Sequence, residues 1–430
     1  MSKGISRICL LLSSIFLFSA TQARATDVTV GPETTVVTTG QIIPDINPFS
    51  GQPTHAIDAP LTTYVSGGVR YWLNSLGSVH MKYKGTLDAP FQTQVWTKDT
   101  KTLFSDPYHL GLGGPWRKID AKNFTFDGSA VWVVNVYQPS DKEILAFLHI
   151  EIPALVNGVY TTGKSKIGLA WSKNGGESFT YIGDIVTYSG TASEYNMQGA
   201  PYIIKDGYFY LYYHDMCPGQ ETSVARADVA TVIAAAKNGQ VTTWSKYDKS
   251  GWTNTGLGGV CSAIKITPGI DHTDAAYSSY TGKYYLLLSQ YGASTVPTWI
   301  KLFESTDGIS WTYLTDIVSA PTAKSGGYQY VTIVNADGTD NGVVGKSFYV
   351  YSAKNLSAPT VSRWLVTFKT PATAKVGDLN GDNVVNALDY NILLADFGKT
   401  GTVGFTPADI NKDGKVNILD YNLLSANYGK

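Results

Sequence analysis

The final 55 residues of the chain carry one spacing pattern of oxygen-bearing side chains twice, and this duplication constrains the fold more than any other feature. The first copy comprises Asp378, Asn380, Asp382, Val384, Asn386 and Asp389, and the second, 31 residues later, comprises Asp409, Asn411, Asp413, Lys415, Asn417 and Asp420. Side-chain oxygens fall at loop positions 1, 3, 5, 9 and 12, and position 7 offers its backbone carbonyl. Because Ca²⁺ takes six to eight oxygen ligands at roughly 2.3–2.6 Å, the spacing predicts two calcium-binding loops and two bound Ca²⁺ ions.

Each loop runs into a set of apolar residues at helical spacing. These residues are Leu388, Ile392 and Leu393 after the first loop, and Leu419, Leu423 and Leu424 after the second. The pattern predicts one short helix behind each loop. The sixth loop position, where the backbone must turn sharply, holds Asn383 in the first copy and Gly414 in the second. Both residue types tolerate the left-handed conformation that such a turn requires.

This duplicated loop–helix unit resembles the type I dockerin module, and the resemblance covers residues 376–430. It implies that the tail binds a cohesin domain on a scaffold or cell-surface protein. The chain departs from the family at loop positions 10 and 11, where many dockerins carry Ser/Thr pairs that contact cohesin. Here these positions hold Ala387-Leu388 and Ile418-Leu419. A calcium-stiffened tail without a cohesin partner is therefore the alternative.

The N-terminus predicts a secretory signal peptide. Lys3 and Arg7 precede the apolar run 8–20, and Ala23-Arg24-Ala25 is a small-x-small cleavage site, so we expect residues 1–25 to be removed and the mature protein to be extracellular. No later stretch approaches the ~20 apolar residues of a membrane span. The mature chain would retain Cys217 and Cys261, which either pair in the oxidising compartment or stay as free thiols.

The overall charge argues against a nucleic-acid partner. The formal net charge is −1, with basic and acidic residues interspersed along the chain, whereas a nucleic-acid footprint needs a clustered basic face.

The body of the chain, residues 26–368, reads as short strands punctuated by Gly, Asn, Asp and Pro, followed by a linker at residues 369–375. The segment 225–237 stands apart as a predicted helix. Five similar phrases, each a hairpin that ends in aromatic residues, begin at Ile57, Trp116, Met197, Asp271 and Ser325. This repetition predicts an all-β, five-bladed β-propeller, followed by a small all-α calcium-binding module. Two turns, Ser172–Phe179 and Ser305–Trp311, resemble the Asp-box of sialidase-like propellers, whose role is structural.

The strand phrases also resemble five-bladed propeller glycosidases of the arabinanase, β-xylosidase and arabinofuranosidase class. Those enzymes place carboxylates at the starts of the innermost strands. The resemblance implies Asp58 as the general base and Asp120 as the carboxylate that orients the acid and tunes its pKa. The acid position of the family holds Gln198 instead of Glu, so Glu194 becomes the candidate acid, with Glu151 as another. We expect His272 and Gln198 to contact substrate.

The sequence therefore predicts a secreted glycoside hydrolase that cleaves O-glycosidic bonds of a polysaccharide and is tethered by a dockerin. Such hydrolysis requires one carboxylic acid and one carboxylate at a defined separation. Since Gln198 cannot donate and regain a proton, a non-catalytic carbohydrate-binding propeller, sialidase-like or lectin-like, is the alternative. A polysaccharide lyase would instead need a Tyr, His or Lys base.

Overall fold

The computed structural model of the protein describes residues 26–42, 45–46, 53–54, 57–76, 79–95, 104–105, 130–156, 159–188, 197, 199–215, 221–261, 264, 266, 272–290, 299–319, 327–337, 341–354, 359–369, 375–380 and 384–430. The chain divides into compact units, one formed by Val28–Lys369 and another that contains Thr370–Lys430. Within the described residues, no helix is long and apolar enough to cross a membrane.

The larger unit is a five-bladed β-propeller in the part of the chain that the structure describes. Its first elements are β1 (Val28–Val30), β2 (Thr34–Val37), a 3-10 helix (Thr39–Gln41), and a small hairpin of β3 (Asp45–Ile46) and β4 (Pro53–Thr54). Blade 1 contains β5 (Thr62–Ser66), β6 (Val69–Leu76), β7 (Val79–Lys84) and β8 (Thr93–Gln94).

Blade 2 contains β9 (Phe104–Ser105), β10 (Ala130–Tyr137), β11 (Ile144–Val156), β12 (Val159–Ser172) and β13 (Phe179–Val186). Blade 3 contains β14 (Tyr202–Lys205), β15 (Tyr208–Asp215), β16 (Glu221–Asp228), β17 (Ser245–Asp248) and β18 (Gly251–Thr255), with helix α1 (Val229–Lys237) after β16. Blade 4 contains β19 (His272–Ser278), β20 (Lys283–Gln290), β21 (Trp299–Ser305) and β22 (Thr312–Val318).

Blade 5 is built from both ends of the propeller sequence. It contains β23 (Tyr328–Asn335), β25 (Ser347–Lys354) and β26 (Thr360–Phe368), together with β1 and β2. The short β24 (Val343–Val344), which follows β23 in the chain, pairs with β19 and so belongs to the sheet of blade 4. The strand β26 pairs with β1 in the register Val28↔Phe368 and with β2 in the register Thr34↔Arg363. The first strands of the chain therefore close the ring against its last strand.

The local sequence explains why the inner hairpins form. Gly67 and Gly68 connect β5 to β6, and both have positive φ angles, of 58° and 73°. Asp206 and Gly207 connect β14 to β15 with φ angles of 52° and 80°. Two central residues with positive φ define the two-residue turn whose twist matches that of the flanking strands.

The two predicted Asp-box turns lie between the third and fourth strands of blades 2 and 4, and each receives a tyrosine hydroxyl from the preceding blade. Ser172 Oγ accepts from Gly176 N at 3.0 Å, and the hydroxyl of buried Tyr64 donates to Gly176 O at 3.2 Å. Likewise Ser305 Oγ accepts from Gly308 N, and the Tyr212 hydroxyl donates to Gly308 O at 2.9 Å. The turns thus close hairpins, as predicted, and also join neighbouring blades.

The predicted helix is wrong in detail. The predicted helix 225–237 begins only at Val229, because Ala225 and Ala227 are buried residues of β16, which pairs with β15. The Asp228 side chain accepts from Thr231 N and starts the helix as its N-cap. The part of the Trp116 phrase before Ala130 lies outside the described residues, so its predicted hairpin stays a prediction; the described part is β10, which pairs with β11 and is the innermost described strand of blade 2.

Cys261 is disulfide-bonded, so the free-thiol alternative is wrong for this residue. Its partner sulfur lies outside the described residues.

The C-terminal unit contains two similar halves. Helix α2 (Ala387–Asp396) and helix α3 (Ile418–Ser425) each begin with an Asn N-cap and a capping box closed by the Asp three residues later. After each helix, a glycine amide bonds to the opposite half: Gly398 N to Val416 O at 2.8 Å, and Gly429 N to Val385 O at 2.8 Å. The buried core between the halves contains Leu379, Val385, Leu393, Ala408, Val416 and Leu424.

Candidate functional site

A cavity of about 220 Å³ lies where the starts of several inner strands meet. It is lined by Asp58, Ala59 and Pro60 ahead of β5, Trp132 and Val134 of β10, His149 and Glu151 of β11, Gly199 ahead of β14, and Tyr330 of β23. Four blades therefore contribute to one pocket that contains two carboxyl groups, a histidine and two large aromatic rings.

Asp58 is held by donors from two other blades. The Tyr330 hydroxyl donates to Asp58 Oδ1 at 2.7 Å, and Trp132 Nε1 donates to Asp58 Oδ2 at 3.0 Å. Burial raises the pKa of the Asp58 carboxyl, and these two hydrogen bonds offset only part of that effect; the nearby charge of Glu151 raises the pKa further, and His149 lowers it. A carboxyl with a raised pKa in a cavity is the kind of group that catalysis uses.

The register of blade 2 places Glu151 beside Asp58. Trp132 pairs with His149 and Ala130 pairs with Glu151, so alternate residues of β11 face the same side as Trp132. His149 Nε2 lies 3.1 Å from Glu151 Oε1, and the His149 ring lies 5.2 Å from the Trp132 ring between centroids. The fold thus assembles a carboxyl–histidine pair in the same cavity as Asp58.

Tyr330 adopts a backbone conformation that is rare for its residue type. Its φ angle is +58°, and it lies in β23 between Gln329 and Thr332, where the pairing with β25 shifts by a bulge. A bulky residue in the left-handed region costs on the order of 1–3 kcal/mol and persists where the surroundings enforce it. Bulges near functional sites commonly re-aim one side chain, and here the re-aimed side chain reaches Asp58.

A smaller cavity of about 40 Å³ is lined by residues of β5, β10, β19 and β23, and it shares Val134 as a lining residue with the first cavity. Asp274 of β19 is buried there. Its Oδ2 accepts from Ile333 N at 2.6 Å, and its Oδ1 accepts from Ala275 N at 2.8 Å and Asn135 Nδ2 at 3.3 Å. Burial raises the pKa of Asp274 to about 7 despite these hydrogen bonds. One carboxyl group therefore connects the inner strands of blades 2, 4 and 5.

The predicted catalytic and substrate-binding residues are described only in part. Asp58 lines the cavity, whereas Asp120, Glu194 and Gln198 lie outside the described residues. His272 is the first residue of β19, and its side chain lies outside the description. Reasoning from the sequence did not select Tyr330, which the structure places in this cavity. The alternation of His149 and Glu151 along one strand was the available signal that these two side chains lie on the same face, but nothing in the local sequence indicated Tyr330.

The second predicted calcium loop is described completely. The Asp409 carboxylate accepts from Gly404 N, Asp413 N and Gly414 N, and Asp420 accepts from Asn411 N at 3.1 Å and Asn417 N at 2.9 Å. Gly414 has a φ angle of +81°, and a Cβ there would lie 2.7 Å from Gly401 O. Since only glycine fits this turn without strain, the loop has the tight bend that the spacing requires.

The first loop repeats this arrangement where it is described, and Asp382 and Asn383 lie outside the description. Asp389 accepts from Leu379 N at 2.7 Å, Asn380 N at 3.0 Å and Asn386 N at 2.9 Å. Asn386 and Asn417 also cap the helices through Leu388 N and Leu419 N. Their predicted role as position-9 ligands stays a prediction, as do those of Asp378, Val384 and Lys415.

The donor set fits Ca²⁺. Asp389 and Asp420 are fully buried and Asp409 is nearly so, and among the described residues no Lys, Arg or His forms an ion pair with them. Buried carboxylates need a cation or a dense set of donors. No three His, Cys, Asp or Glu side chains converge as a metal cluster within the described part of the chain, and the predicted set also draws on Asn side chains and backbone carbonyls.

Comparison with known families identifies the tail. The family model described as "Dockerin type I domain" matches residues 376–427. These residues are a dockerin type I domain. Domains of this type bind calcium and cohesins, and the two loops and helices of the tail have the corresponding arrangement. No curated protein matches the chain.

Solved structures similar to this chain include propeller glycosidases. An exo-β-1,3-galactanase from Clostridium thermocellum has 14% identity and a TM-score of 0.43, covering 78% of this chain and 61% of that chain, which is less than two thirds of its length. An α-L-arabinofuranosidase from Podospora anserina has 12% identity and a TM-score of 0.43, covering 78% and 97%. The Bacillus subtilis arabinanase has 13% identity and a TM-score of 0.40, covering 75% and 97%. The five-bladed architecture itself rests on the sheets described above.

Proposed function

We propose that the propeller is a glycoside hydrolase that cleaves O-glycosidic bonds of a polysaccharide at the cavity around Asp58. The observation that carries this proposal is the presence of two carboxyl groups, Asp58 and Glu151, in one aromatic-lined cavity. Glycoside hydrolysis uses one carboxylic acid to protonate the leaving oxygen and one carboxylate to activate water or attack. Aromatic rings such as Trp132 offer an apolar face for a sugar ring.

In this proposal Asp58 is the base and Glu151 is the acid among the described residues. Both oxygens of Asp58 already accept one hydrogen bond each, and a carboxylate has about four acceptor sites, so it can still accept from water. His149 Nε2, 3.1 Å from Glu151 Oε1, helps to hold the Glu151 side chain in the cavity. Glu194 as an alternative acid and Asp120 as its modulator remain proposals from the sequence.

The size of the cavity favours a single sugar ring. Its volume of about 220 Å³ lies below the roughly 300–1,000 Å³ of pockets that hold drug-sized ligands. We therefore propose that the enzyme removes one terminal or side-chain sugar at a time.

The test is sugar release by the full secreted chain from a panel of arabinans, xylans and galactans. Asp58→Asn and Glu151→Gln are each expected to lower the rate about 10²–10⁴-fold. Glu194→Gln runs alongside, and Glu143→Gln, which lies outside the cavity lining and pairs with Lys237, is the matched control. Equal activity of Asp58→Asn and the unaltered protein would refute the proposal.

The alternative is a propeller that binds a polysaccharide without cleaving it, and Gln198 at the acid position of the resembling family favours it. In that case no sugar is released, but migration of the protein is retarded in a gel that contains one polysaccharide. In that case, the Asp58→Asn substitution changes the retardation of the protein in the gel, and neither the variant nor the unaltered protein releases sugar.

We further propose that the protein is exported through residues 1–25 and that its dockerin domain binds two Ca²⁺ ions and a cohesin. Leu388, Ile418 and Leu419 are 59%, 57% and 53% exposed at the start of the two helices. The cohesin surface that fits them would be apolar there, because exposed apolar groups gain most from burial against other apolar groups. Leu388→Ser together with Leu419→Ser is expected to weaken calcium-dependent capture of the cohesin, and unchanged capture would refute this surface.

A further inference from the structure

We propose that Tyr330 is a positioning residue for Asp58. The Tyr330 hydroxyl holds the Asp58 carboxylate in the orientation needed to accept a proton from water. This inference rests on the proposed hydrolase function. It assigns a role to a residue that lies 272 positions from Asp58 in the chain and belongs to another blade.

The first argument is the geometry of the hydrogen bonds. Tyr330 and Trp132 each supply one donor, and each donor reaches a different oxygen of Asp58, at 2.7 Å and 3.0 Å. Two donors on two oxygens fix the plane of the carboxylate, which a single bond would leave free to rotate about its Cβ–Cγ bond. The remaining acceptor sites then point in a fixed direction into the cavity.

The second argument is the backbone of Tyr330. A residue in the left-handed region at a bulge, with φ of +58°, is held there against its own preference. In a regular strand, successive side chains point to opposite faces of the sheet, and the bulge in β23 interrupts this alternation. The bulge instead brings the phenol to the cavity, where its oxygen meets Asp58 and where it is one of the lining residues. Backbone strain at a cavity indicates that the position of the strained residue's side chain matters there.

The third argument is electrostatic. The hydrogen bond from Tyr330 lowers the pKa of Asp58, whereas burial, the larger effect, raises it. Tyr330 therefore keeps Asp58 ionised, and so able to act as a base, to lower pH than burial alone would permit.

The experiment compares the full secreted chain with Tyr330→Phe, which removes only the hydroxyl. The expected result is a fall in kcat of about 10–100-fold with little change in KM. In addition, the acidic limb of the pH profile of kcat/KM moves to higher pH, because Asp58 loses a bond that favours its ionised form. Tyr349→Phe is the matched control, since Tyr349 is also half-buried in blade 5 and packs in the same cluster but does not line the cavity.

A purely structural role for Tyr330 would change stability but would leave the pH profile in place. Unchanged kcat and an unmoved acidic limb in Tyr330→Phe would therefore overturn the inference. If the Phe variant does not fold, Tyr330→Asn takes its place, because Asn tolerates the left-handed backbone and also lacks the phenol.

Failure of the proposed function is distinguished by a measurement that needs no turnover. The pKa of Asp58 is followed by ¹³C NMR of labelled aspartate carboxyls, assigned with Asp58→Asn. If the unaltered protein releases no sugar but Tyr330→Phe raises this pKa, the hydrolase is refuted and the contact between Tyr330 and Asp58 stands. If the pKa does not move, the positioning role is refuted whether or not the protein is an enzyme.

Discussion

Asp274 makes the stability of the propeller depend on pH in a direction opposite to that of most carboxylates. Its pKa rises from an ordinary value of 3.8 to about 7 on folding. Between these values the folded protein keeps a proton on Asp274 that the unfolded chain has already released. The unfolded state then binds fewer protons than the native state, so the free energy of unfolding falls as the pH rises. Above the folded pKa of about 7 the loss is complete.

The size of the effect follows from the shift. About three pH units at about 1.4 kcal/mol per unit give a loss of about 4 kcal/mol between pH 4 and pH 7. The substitution Asp274→Asn abolishes the titration. It also leaves one backbone N–H, that of Ala275 or Ile333, without its acceptor, which costs about 1–3 kcal/mol at every pH. The variant is therefore expected to be less stable than the unaltered protein at pH 4 and more stable at pH 7.5.

The measurement is chemical unfolding of the full chain at a series of pH values, followed by tryptophan fluorescence. All ten tryptophans precede residue 370, so the signal reports on the propeller alone. Asp337→Asn, which replaces an exposed carboxylate two residues after β23, is the control for the loss of one carboxyl group. If the stability difference between Asp274→Asn and the unaltered protein is the same at every pH, the reasoning from burial is wrong.

Two further predictions concern the tail and the closure of the ring. Chelation with EDTA is expected to make residues 376–430 sensitive to protease while the tryptophan fluorescence stays native, because helices of ten and eight residues are marginal without the metal that ties their loops; a tail that remains resistant would contradict this. Glu33→Ala removes an acceptor that binds Tyr328, Lys354 and Ser362, and it is expected to destabilise the propeller by about 2 kcal/mol after allowance for solvent screening. Burial acts to raise the pKa of Glu33, but the hydrogen bonds to its carboxylate lower this pKa overall. The stabilisation is therefore present above about pH 4 and is lost as the pH falls below it. A stability difference between Glu33→Ala and the unaltered protein that persists undiminished in acid would count against the assignment.

Much of the fold was predictable because its signals are local. Hairpin phrases at Ile57, Met197, Asp271 and Ser325 correspond to the inner strands of blades 1, 3, 4 and 5. Of the phrase at Trp116 only the final strand, β10, is described; alternation identifies this strand but does not say which neighbour it pairs with. That choice depends on packing between blades, which brings β10 against β5 and against the smaller cavity.

Residues of the candidate site could be predicted only where they belong to a recognisable sequence motif. Asp58 could be selected because it precedes the first inner strand. Tyr330 could not, because its role depends on a bulge and on the ring bringing blade 5 beside blade 1. The calcium loops are the opposite case: all the predicted ligands of each loop lie within twelve consecutive residues, so their spacing alone was enough to predict them.

The pairing of Val28 with Phe368 has a consequence for the order in which the molecule is made. During synthesis the N-terminal strands emerge first, and their partner β26 emerges last of all the described propeller strands. Until then the growing chain presents unpaired strand edges, which are templates for association with other chains. A nascent propeller of this kind would need protection from aggregation for almost the whole of its translation, and a chain truncated before Thr360 would lack the strand that completes the circle.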